Sequence, residues 1–216
     1  MGSVVSRQLP PDTKKIIIDT DPAKASELAR AVGGSSTSAL EYAKDADLIA
    51  VVLPAPAVNE TVEKLQAVVK KGAVIINMAT TAKIDPAIIA KNPDIFIVDA
   101  KIIGHAKSIS EGEPGIIVVK TENAEVLALI KSQLIGFTDV VKGDADLVPI
   151  LNTIGSTEGI KAAVAIRKQL RAMDIPDKWS NVVIRTVCAG TMKAFTENDL
   201  GHFALGLVKK LESEDQ

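Results

Sequence analysis

Cysteine, histidine and aromatic residues are scarce in this 216-residue sequence. The single cysteine, Cys188, excludes an intrachain disulfide and is typical of a protein from a reducing compartment. One cysteine and two histidines argue against a dedicated zinc site. Because aromatic residues make up only 3% of the chain, the core must be built from Ile, Val, Leu and Ala.

Long apolar runs and basic clusters are also absent. No apolar run reaches the ~18 residues that a membrane span needs, and no basic stretch followed by an apolar one begins the chain. The net charge of −2 and the pI near 5.8 argue against nucleic-acid binding, which usually requires a basic stripe. We therefore expect a cytoplasmic protein that acts on a small molecule, without nucleic-acid or membrane partners.

The common nucleophile motifs are missing too. There is no G-x-S-x-G turn and no Walker-type phosphate loop. The ends of the predicted strands carry neither a Ser-His-Asp nor a Cys-His arrangement. What remains is a groove without a nucleophile, which suits hydride transfer to or from a bound cofactor.

Apolar strands alternate with amphipathic helices as far as residue 142. Residues 15–20 and 47–54 predict strands, the second of them buried on both faces. Residues 22–32 predict a helix that begins at Pro22 and ends before Gly33, and a further helix is predicted to end at Gly72. This alternation predicts an α/β fold with a doubly wound, Rossmann-type parallel sheet.

From Asp144 onward apolar residues recur at helical spacing. Residues 175–179 are predicted to be a loop, followed by two further helices. We therefore predict a dinucleotide-binding domain over residues 1–142 and an all-helical dimerisation and substrate domain over residues 143–216. Because so small a helical domain buries little core alone, we expect these helices to pack on a second copy in a homodimer.

Asp19 lies at the end of the first predicted strand. In dinucleotide folds an acid at the end of the second strand accepts hydrogen bonds from the adenosine ribose and repels a 2′-phosphate. The next residues, Thr20 and Asp21, include no arginine that could hold such a phosphate. NAD is therefore favoured over NADP as cofactor, with the alternative that Asp19 only ends a strand at a turn.

Several stretches, taken in order, resemble motifs of the β-hydroxyacid dehydrogenases, within the 6-phosphogluconate dehydrogenase-like group. That group also contains prephenate dehydrogenases, pyrroline-carboxylate reductases and imine reductases. The stretches that carry the resemblance are Met1-Gly2, IIIDTDPAKA, DLIAVVLPAPAVNETV, INMATT, VDAKIIGH and ENDLGHFALGLVKKL.

The resemblance implies a cofactor site. Gly2 and Ser3 match the end of the family's Gly-rich turn, Leu53-Pro54 follow its fourth strand, and Thr80 matches a threonine beside the nicotinamide ribose. The first strand and two of the three glycines have no counterpart, so we expect a sheet without its central strand. Since backbone N–H groups of that turn hold the pyrophosphate, we also expect weak dinucleotide binding.

The resemblance implies a substrate site as well. Ile103 occupies the place of a serine that holds the substrate carboxylate in the family. Lys101 and Gly104 are the neighbouring substrate-binding candidates, although Lys101 could instead be a solvated loop charge. His105 is a catalytic candidate that could equally only order its loop.

The family's catalytic lysine matches a position near Asn152, with Ser156 one turn further along the helix. A carboxamide can hydrogen-bond a carbonyl or an imine but cannot deliver a proton, and Lys161 lies more than two turns away. Asn152 and Ser156 share a helix face with Gly155 and Gly159, so this face could line the nicotinamide or allow two helices to approach closely.

The resemblance as a whole implies an NAD(P)-dependent oxidoreductase that transfers hydride to or from a small hydroxyacid, carbonyl or imine. One alternative is a prephenate- or pyrroline-carboxylate-type dehydrogenase. The other is a non-catalytic dimeric relative that has lost cofactor binding.

Overall fold

The computed structural model describes residues 1–214, which divide into two compact units. The first runs from Met1 to Asn152 and the second begins at Thr153. The division falls within helix α7, Val148–Arg171.

The first unit contains seven strands and the helices that connect them. The strands are β1 Ile16–Ile18, β2 Ser35–Thr37, β3 Leu48–Val51, β4 Val74–Asn77, β5 Phe96–Ile103, β6 Ile116–Lys120 and β7 Asp139–Lys142. The helices before α7 are α1 Gly2–Arg7, α2 Pro22–Val32, α3 Ala55–Gln66, α4 Pro86–Ala90, α5 Ala106–Ser110 and α6 Ala124–Gln133. Two short 3-10 helices, Leu40–Ala43 and Ala145–Leu147, complete the unit.

The strands form two sheets. β1 pairs with β2 in a two-stranded parallel sheet, and a five-stranded sheet has the order β3-β4-β5-β6-β7. Every pair is parallel except β5 and β6, which run antiparallel. The prediction of a Rossmann-type α/β fold is confirmed, with one antiparallel pair. The connection between β5 and β6 contains one short helix, the five-residue α5.

The break between the two sheets lies where the central strand of a dinucleotide-binding fold belongs. That fold has the strand order 3-2-1-4-5-6. Here β2 and β1 take places 3 and 2, and β3, β4 and β5 take places 4, 5 and 6. Within residues 1–214 no strand takes place 1, which confirms the prediction of a sheet without its first strand.

This break explains where burial departs from prediction. All three residues of β1 are only half-buried, and in β3 Leu48 and Ile49 are half-buried while Ala50 is exposed. The prediction that the apolar segment 47–54 forms a strand buried on both faces was wrong, because β3 is an edge strand with a hydrogen-bonded neighbour on one side only.

Local sequence signals set the ends of α2. The carboxylate of Asp21 accepts hydrogen bonds from the backbone N–H groups of Ala23 and Lys24, and Pro22 takes the first helical position. Gly33 ends the helix in the left-handed conformation, with φ at 71°. Helix α3 ends at Gln66, not at Gly72 as predicted, because the chain turns immediately after it.

Two apolar clusters hold the first unit together, and branched aliphatic side chains dominate both. One includes Val4 and Val5 of α1 with Ile76, Ile102, Ile117 and Ile130. The other includes Val51, Val58, Val62, Leu65, Ile75 and Ile97. Ile18 of β1 packs at the border of the second cluster.

The second unit is helical throughout its described part. After α7 come α8 Asp177–Val182, a π-helical segment Val183–Cys188, α9 Ala189–Thr196 and α10 His202–Glu214. Helix α8 therefore begins inside the stretch 175–179 that was predicted to be a loop, because Pro176 serves as its N-cap. Between Thr153 and Glu214 the only buried residue is Ser180. No helix in residues 1–214 is long and apolar enough to cross a membrane.

The break in the sheet predicts a pattern of amide hydrogen exchange. Amides on the unpaired edges of β1 and β3 should exchange roughly tenfold or more faster than those of β4 and β5, which are paired on both sides. Exchange followed by NMR measures this. Strand β7, an edge strand at the other end of the sheet, is the control and should resemble β3. Equal protection of β3 and β4 would contradict the break.

Candidate functional site

The carboxyl ends of the parallel strands carry most of the predicted site residues. β3 and β4 are paired in register, Val51 opposite Asn77, so the segments that follow them leave the same edge of the sheet. These segments carry Leu53-Pro54 and Thr80. Ile18, the last residue of β1, packs against the same apolar cluster as Leu53. Ligands of open α/β folds bind beyond this kind of edge.

Asp19 follows β1 directly and is exposed. Its Oδ1 accepts a hydrogen bond from the backbone N–H of Asp21 (2.9 Å), and its own N–H donates to the carbonyl of Thr37 (3.3 Å). These bonds fix the backbone at the strand end. The carboxylate lies at the surface, where it can accept hydrogen bonds from a ligand.

Pro54 is the N-cap residue of α3, and Leu53 is half-buried against the core. Gly2 and Ser3 are the first two residues of α1, where the N–H groups of Val4 and Val5 donate to the carbonyl of Met1. Ser3 is exposed and Gly2 half-buried. Their predicted contacts with a cofactor stay predictions.

Thr80 and Thr81 are the exposed middle residues of a turn whose ends, Ala79 and Ala82, are buried. The N–H of Ala82 donates to the carbonyl of Ala79 (3.3 Å), which closes the turn. Side chains from β4 and β5 hold both ends of it. This turn is therefore one of the most firmly anchored segments at the carboxyl edge.

The anchoring side chains are Asn77 on β4 and Asp99 and Lys101 on β5. The Oδ1 of Asn77 accepts from the N–H of Ala79 (3.1 Å), and its Nδ2 donates to the carbonyl of Ala82 (3.0 Å) and to Asp99 Oδ1 (2.6 Å). Asn77 and Asp99 are opposite each other in the strand register. The carboxamide therefore joins the two strands and the turn.

Lys101 was predicted to bind substrate, with a solvated loop charge as the alternative. The alternative was wrong, because its side chain is only 4% exposed. Its Nζ donates to the carbonyls of Ala79 and Ala82 (2.8 Å for Ala82) and lies 3.2 Å from Asp99 Oδ1. Burial lowers the pKa of the Lys101 ammonium, and the Asp99 carboxylate opposes this effect. Contact between this ammonium and a substrate would require the network to open.

Asn152 and Gly104 are brought together. The N–H of Gly104 donates to Asn152 Oδ1 (3.2 Å), and Asn152 Nδ2 donates to the carbonyl of Ile102 (2.9 Å). Position 104 would be strained with any residue other than glycine, because its φ is 146° and a Cβ there would lie 2.9 Å from Ile109 Cδ1. The carboxamide thus clamps the start of α7 to the end of β5.

His105 follows Gly104 as the exposed N-cap residue of α5, and its Nδ1 lies 3.4 Å from Ser108 Oγ. Three predicted residues, Gly104, His105 and Asn152, therefore lie together at the end of β5. Ser156 lies one turn further along α7, in the second unit, and is exposed. In residues 1–214 no group of three or more His, Cys, Asp or Glu side chains could hold a metal ion.

Sequence reasoning missed Asn77 and Asp99. Their positions in the sequence were the usable signal. Asn77 is an amide at the end of the otherwise apolar strand AVIIN. Asp99 is an acid two residues before Lys101 inside the apolar stretch IFIVDAKII. Charged residues are almost never buried unless they are paired, so such a strand predicts an internal ion pair.

Comparison with known proteins gives a family match over more than half of the chain. Residues 1–133 match the family model for the NAD-binding domain of 6-phosphogluconate dehydrogenase. The chain belongs to this family. The predicted family, NAD(P)-binding oxidoreductases, is confirmed, and so is the expectation of an NAD(P) cofactor. A comparison with curated proteins gives no significant match.

Solved structures of related fold include that of a protein from Mycobacterium avium 104 described as an oxidoreductase. Its sequence is 23% identical to this chain, the TM-score is 0.69, and the match covers 88% of this chain and 72% of that chain. A pyrroline-5-carboxylate reductase from Coxiella burnetii has 14% identity, a TM-score of 0.69, and coverages of 91% and 74%. An imine reductase variant from Myxococcus stipitatus in complex with NAD⁺ has 16% identity, a TM-score of 0.55, and coverages of 91% and 72%. At these identities the likeness is one of fold.

The residues of this family member fit the two ends of a dinucleotide better than its middle. The exposed Asp19 carboxylate suits the adenosine ribose hydroxyls, and the exposed turn at Thr80 offers hydroxyl groups at the opposite part of the edge. For the pyrophosphate, the place after the central strand contributes only the backbone around Gly2 and Ser3. Within residues 1–214 the fit is therefore partial.

The Asn152 clamp predicts a stability effect. Asn152→Ala removes both hydrogen bonds and should lower the free energy of unfolding by about 1–3 kcal/mol. Asn59→Ala is the matched control, because the half-buried Asn59 loses one bond only, from the N–H of Asp85. Urea unfolding measures both variants. Equal losses in the two would contradict the clamp.

Proposed function

We propose that this protein transfers hydride between NAD(P) and a small carbonyl, hydroxyacid or imine substrate at the carboxyl edge of its sheet. The observation that carries the proposal is the family match together with the register of β3 and β4, whose carboxyl ends, Val51 and Asn77, lie at one edge of the sheet. The bound nicotinamide would supply or accept the hydride.

Each residue has a role in this proposal. Asp19 accepts hydrogen bonds from the adenosine ribose and repels a 2′-phosphate, so NAD is the preferred cofactor. Leu53-Pro54 border the cofactor, Gly2 and Ser3 offer N–H groups to its pyrophosphate, and Thr80 lies beside the nicotinamide ribose.

The substrate side rests on the end of β5 and the start of α7. Asn152 Nδ2 has a second hydrogen beyond the one given to Ile102, and that hydrogen can be donated to a carbonyl or imine. A carboxamide cannot deliver a proton, so proton transfer is assigned to His105, whose exposed imidazole can donate or accept one. Gly104 lets the backbone approach the substrate.

A second candidate function is favoured by the break between β1 and β3. Within residues 1–214 no strand lies between them and backbone donors for the pyrophosphate are few, which favours a non-catalytic dimeric relative that does not bind a dinucleotide. Calorimetric titration of NADH and then NADPH distinguishes the two. Binding of either supports the oxidoreductase, and absence of binding of both supports the second candidate.

Asp19 provides a sharper test of cofactor choice. Asp19→Asn keeps an oxygen that can accept from the Asp21 N–H and removes only the charge. The ratio of NADH to NADPH affinity should therefore fall about tenfold, which corresponds to roughly 1.4 kcal/mol. Asp45→Asn, an exposed acid before β3 at the opposite end of the strand, is the control and should leave the ratio unchanged. An unchanged ratio in Asp19→Asn would refute the assigned role.

We also propose that two copies associate through the helical unit. Between Thr153 and Glu214 no apolar side chain is buried, and the exposed ones include Ile160 (65% exposed), Val164 (62%) and Phe203 (82%). A helical unit with so little core needs a partner surface. The partner is a second copy, because the apolar residues extend over α7, α9 and α10 and a second copy brings a matching set.

This association predicts a mass of twice the 22.7-kDa chain in sedimentation equilibrium. Ile160→Glu combined with Val164→Glu places two charges one turn apart on α7 and should shift the protein to the monomer. Tyr42→Glu, an equally exposed apolar residue of the first unit (62%), is the control and should stay dimeric. A monomeric wild type would refute the proposed association.

A further inference from the structure

Asn77, Asp99 and Lys101 form a buried polar network that no cofactor contact explains. Asn77 is fully buried, and the side chains of Asp99 and Lys101 are 19% and 4% exposed. Burying a lysine and an aspartate in a strand pair carries a desolvation penalty that only good geometry offsets. A network of this kind therefore points to a specific structural task.

The backbone groups that Lys101 and Asn77 contact indicate this task. Two of the three polar contacts of Lys101 Nζ go to the carbonyls of Ala79 and Ala82, the two ends of one turn. Asn77 contacts the same two residues: its Oδ1 accepts from the N–H of Ala79, and its Nδ2 donates to the carbonyl of Ala82. Side chains of the network thus donate hydrogen bonds to both ends of the four-residue turn Ala79–Ala82, in which only Thr80 and Thr81 are exposed.

We propose that Lys101 is a positioning residue which, with Asn77 and Asp99, fixes the Ala79–Ala82 turn so that Thr80 and Thr81 meet the nicotinamide half of the cofactor. Asp99 holds the ammonium from the strand side, at 3.2 Å, and Asn77 ties the carboxylate to the turn. The inference rests on the proposed function, because it assigns this turn to cofactor binding.

The decisive variant is Lys101→Met, which keeps the length of the side chain and removes its donors. NADH affinity should fall about tenfold or more, whereas the affinity for ADP-ribose, which lacks the nicotinamide, should be unchanged. A residue with a merely structural role would weaken both ligands together or neither. Lys101→Arg keeps a charged donor and should recover part of the NADH affinity.

Two further variants keep the test decisive. Lys101→Met combined with Asp99→Asn leaves no unpaired charge in the interior and should fold where the single variant does not. Lys83→Met is the control: Lys83 is adjacent to the turn but exposed and paired with Asp146, so its loss should change neither ligand's affinity.

Amide hydrogen exchange tests the anchoring without any cofactor. In Lys101→Met the amides of Ala79 and Ala82, which are hydrogen-bonded in the anchored turn, should exchange faster, while those of β4 and β5 keep their protection. Unchanged exchange at these two amides, or equal losses of NADH and ADP-ribose affinity, would overturn the proposal. If the wild type bound neither NADH nor NADPH, the proposed function and the cofactor role of the turn would fall together, while exchange would still decide whether Lys101 anchors it.

Discussion

The lateral pairing of β3, β4 and β5 is the constraint on which the rest of this structure depends. Register places Val51 beside Asn77 and Asn77 beside Asp99, so three chain segments leave the sheet at one edge. Branched aliphatic side chains on both faces stabilise that pairing. The polar groups at the edge are supplied by residues at or just beyond the strand ends. The buried ion pair of Asp99 and Lys101 lies on β5, where Asn77 of β4 donates to the carboxylate and Lys101 donates to the turn after β4.

The break beside β3 is where residues 1–214 depart from the usual dinucleotide-binding sheet. A dinucleotide fold normally uses its central strand to complete the sheet and to lead into the turn that holds the pyrophosphate. Here β1 and β3 are edges of separate sheets. Asp19 and the turn at Thr80 remain, and the proposed cofactor binding depends on these two places.

Much of the fold could be predicted from the sequence, because apolar runs and cap residues such as Asp21, Pro22 and Gly33 are local signals. The ends of α2 and the absence of the first strand were predicted correctly. Three features depended on tertiary context: the antiparallel pairing of β5 and β6, the exposure of Ala50 on an edge strand, and the early end of α3 at Gln66. The proximity of Asn152 to Gly104 came from a family motif, whereas Asn77 and Asp99 could be recognised only once the strand register was known, since burial of a polar group is not encoded by its neighbours in sequence.

The central claim is that the carboxyl edge of the sheet binds the dinucleotide, and titration of ¹⁵N-labelled protein with NADH, followed by amide chemical shifts, tests it most directly. This measurement detects weak binding as well as tight binding. The account predicts shifts concentrated at residues 19–21, 53–55 and 79–82, with the strand interiors unaffected. An absence of shifts at saturating NADH, or shifts confined to another surface, would contradict it.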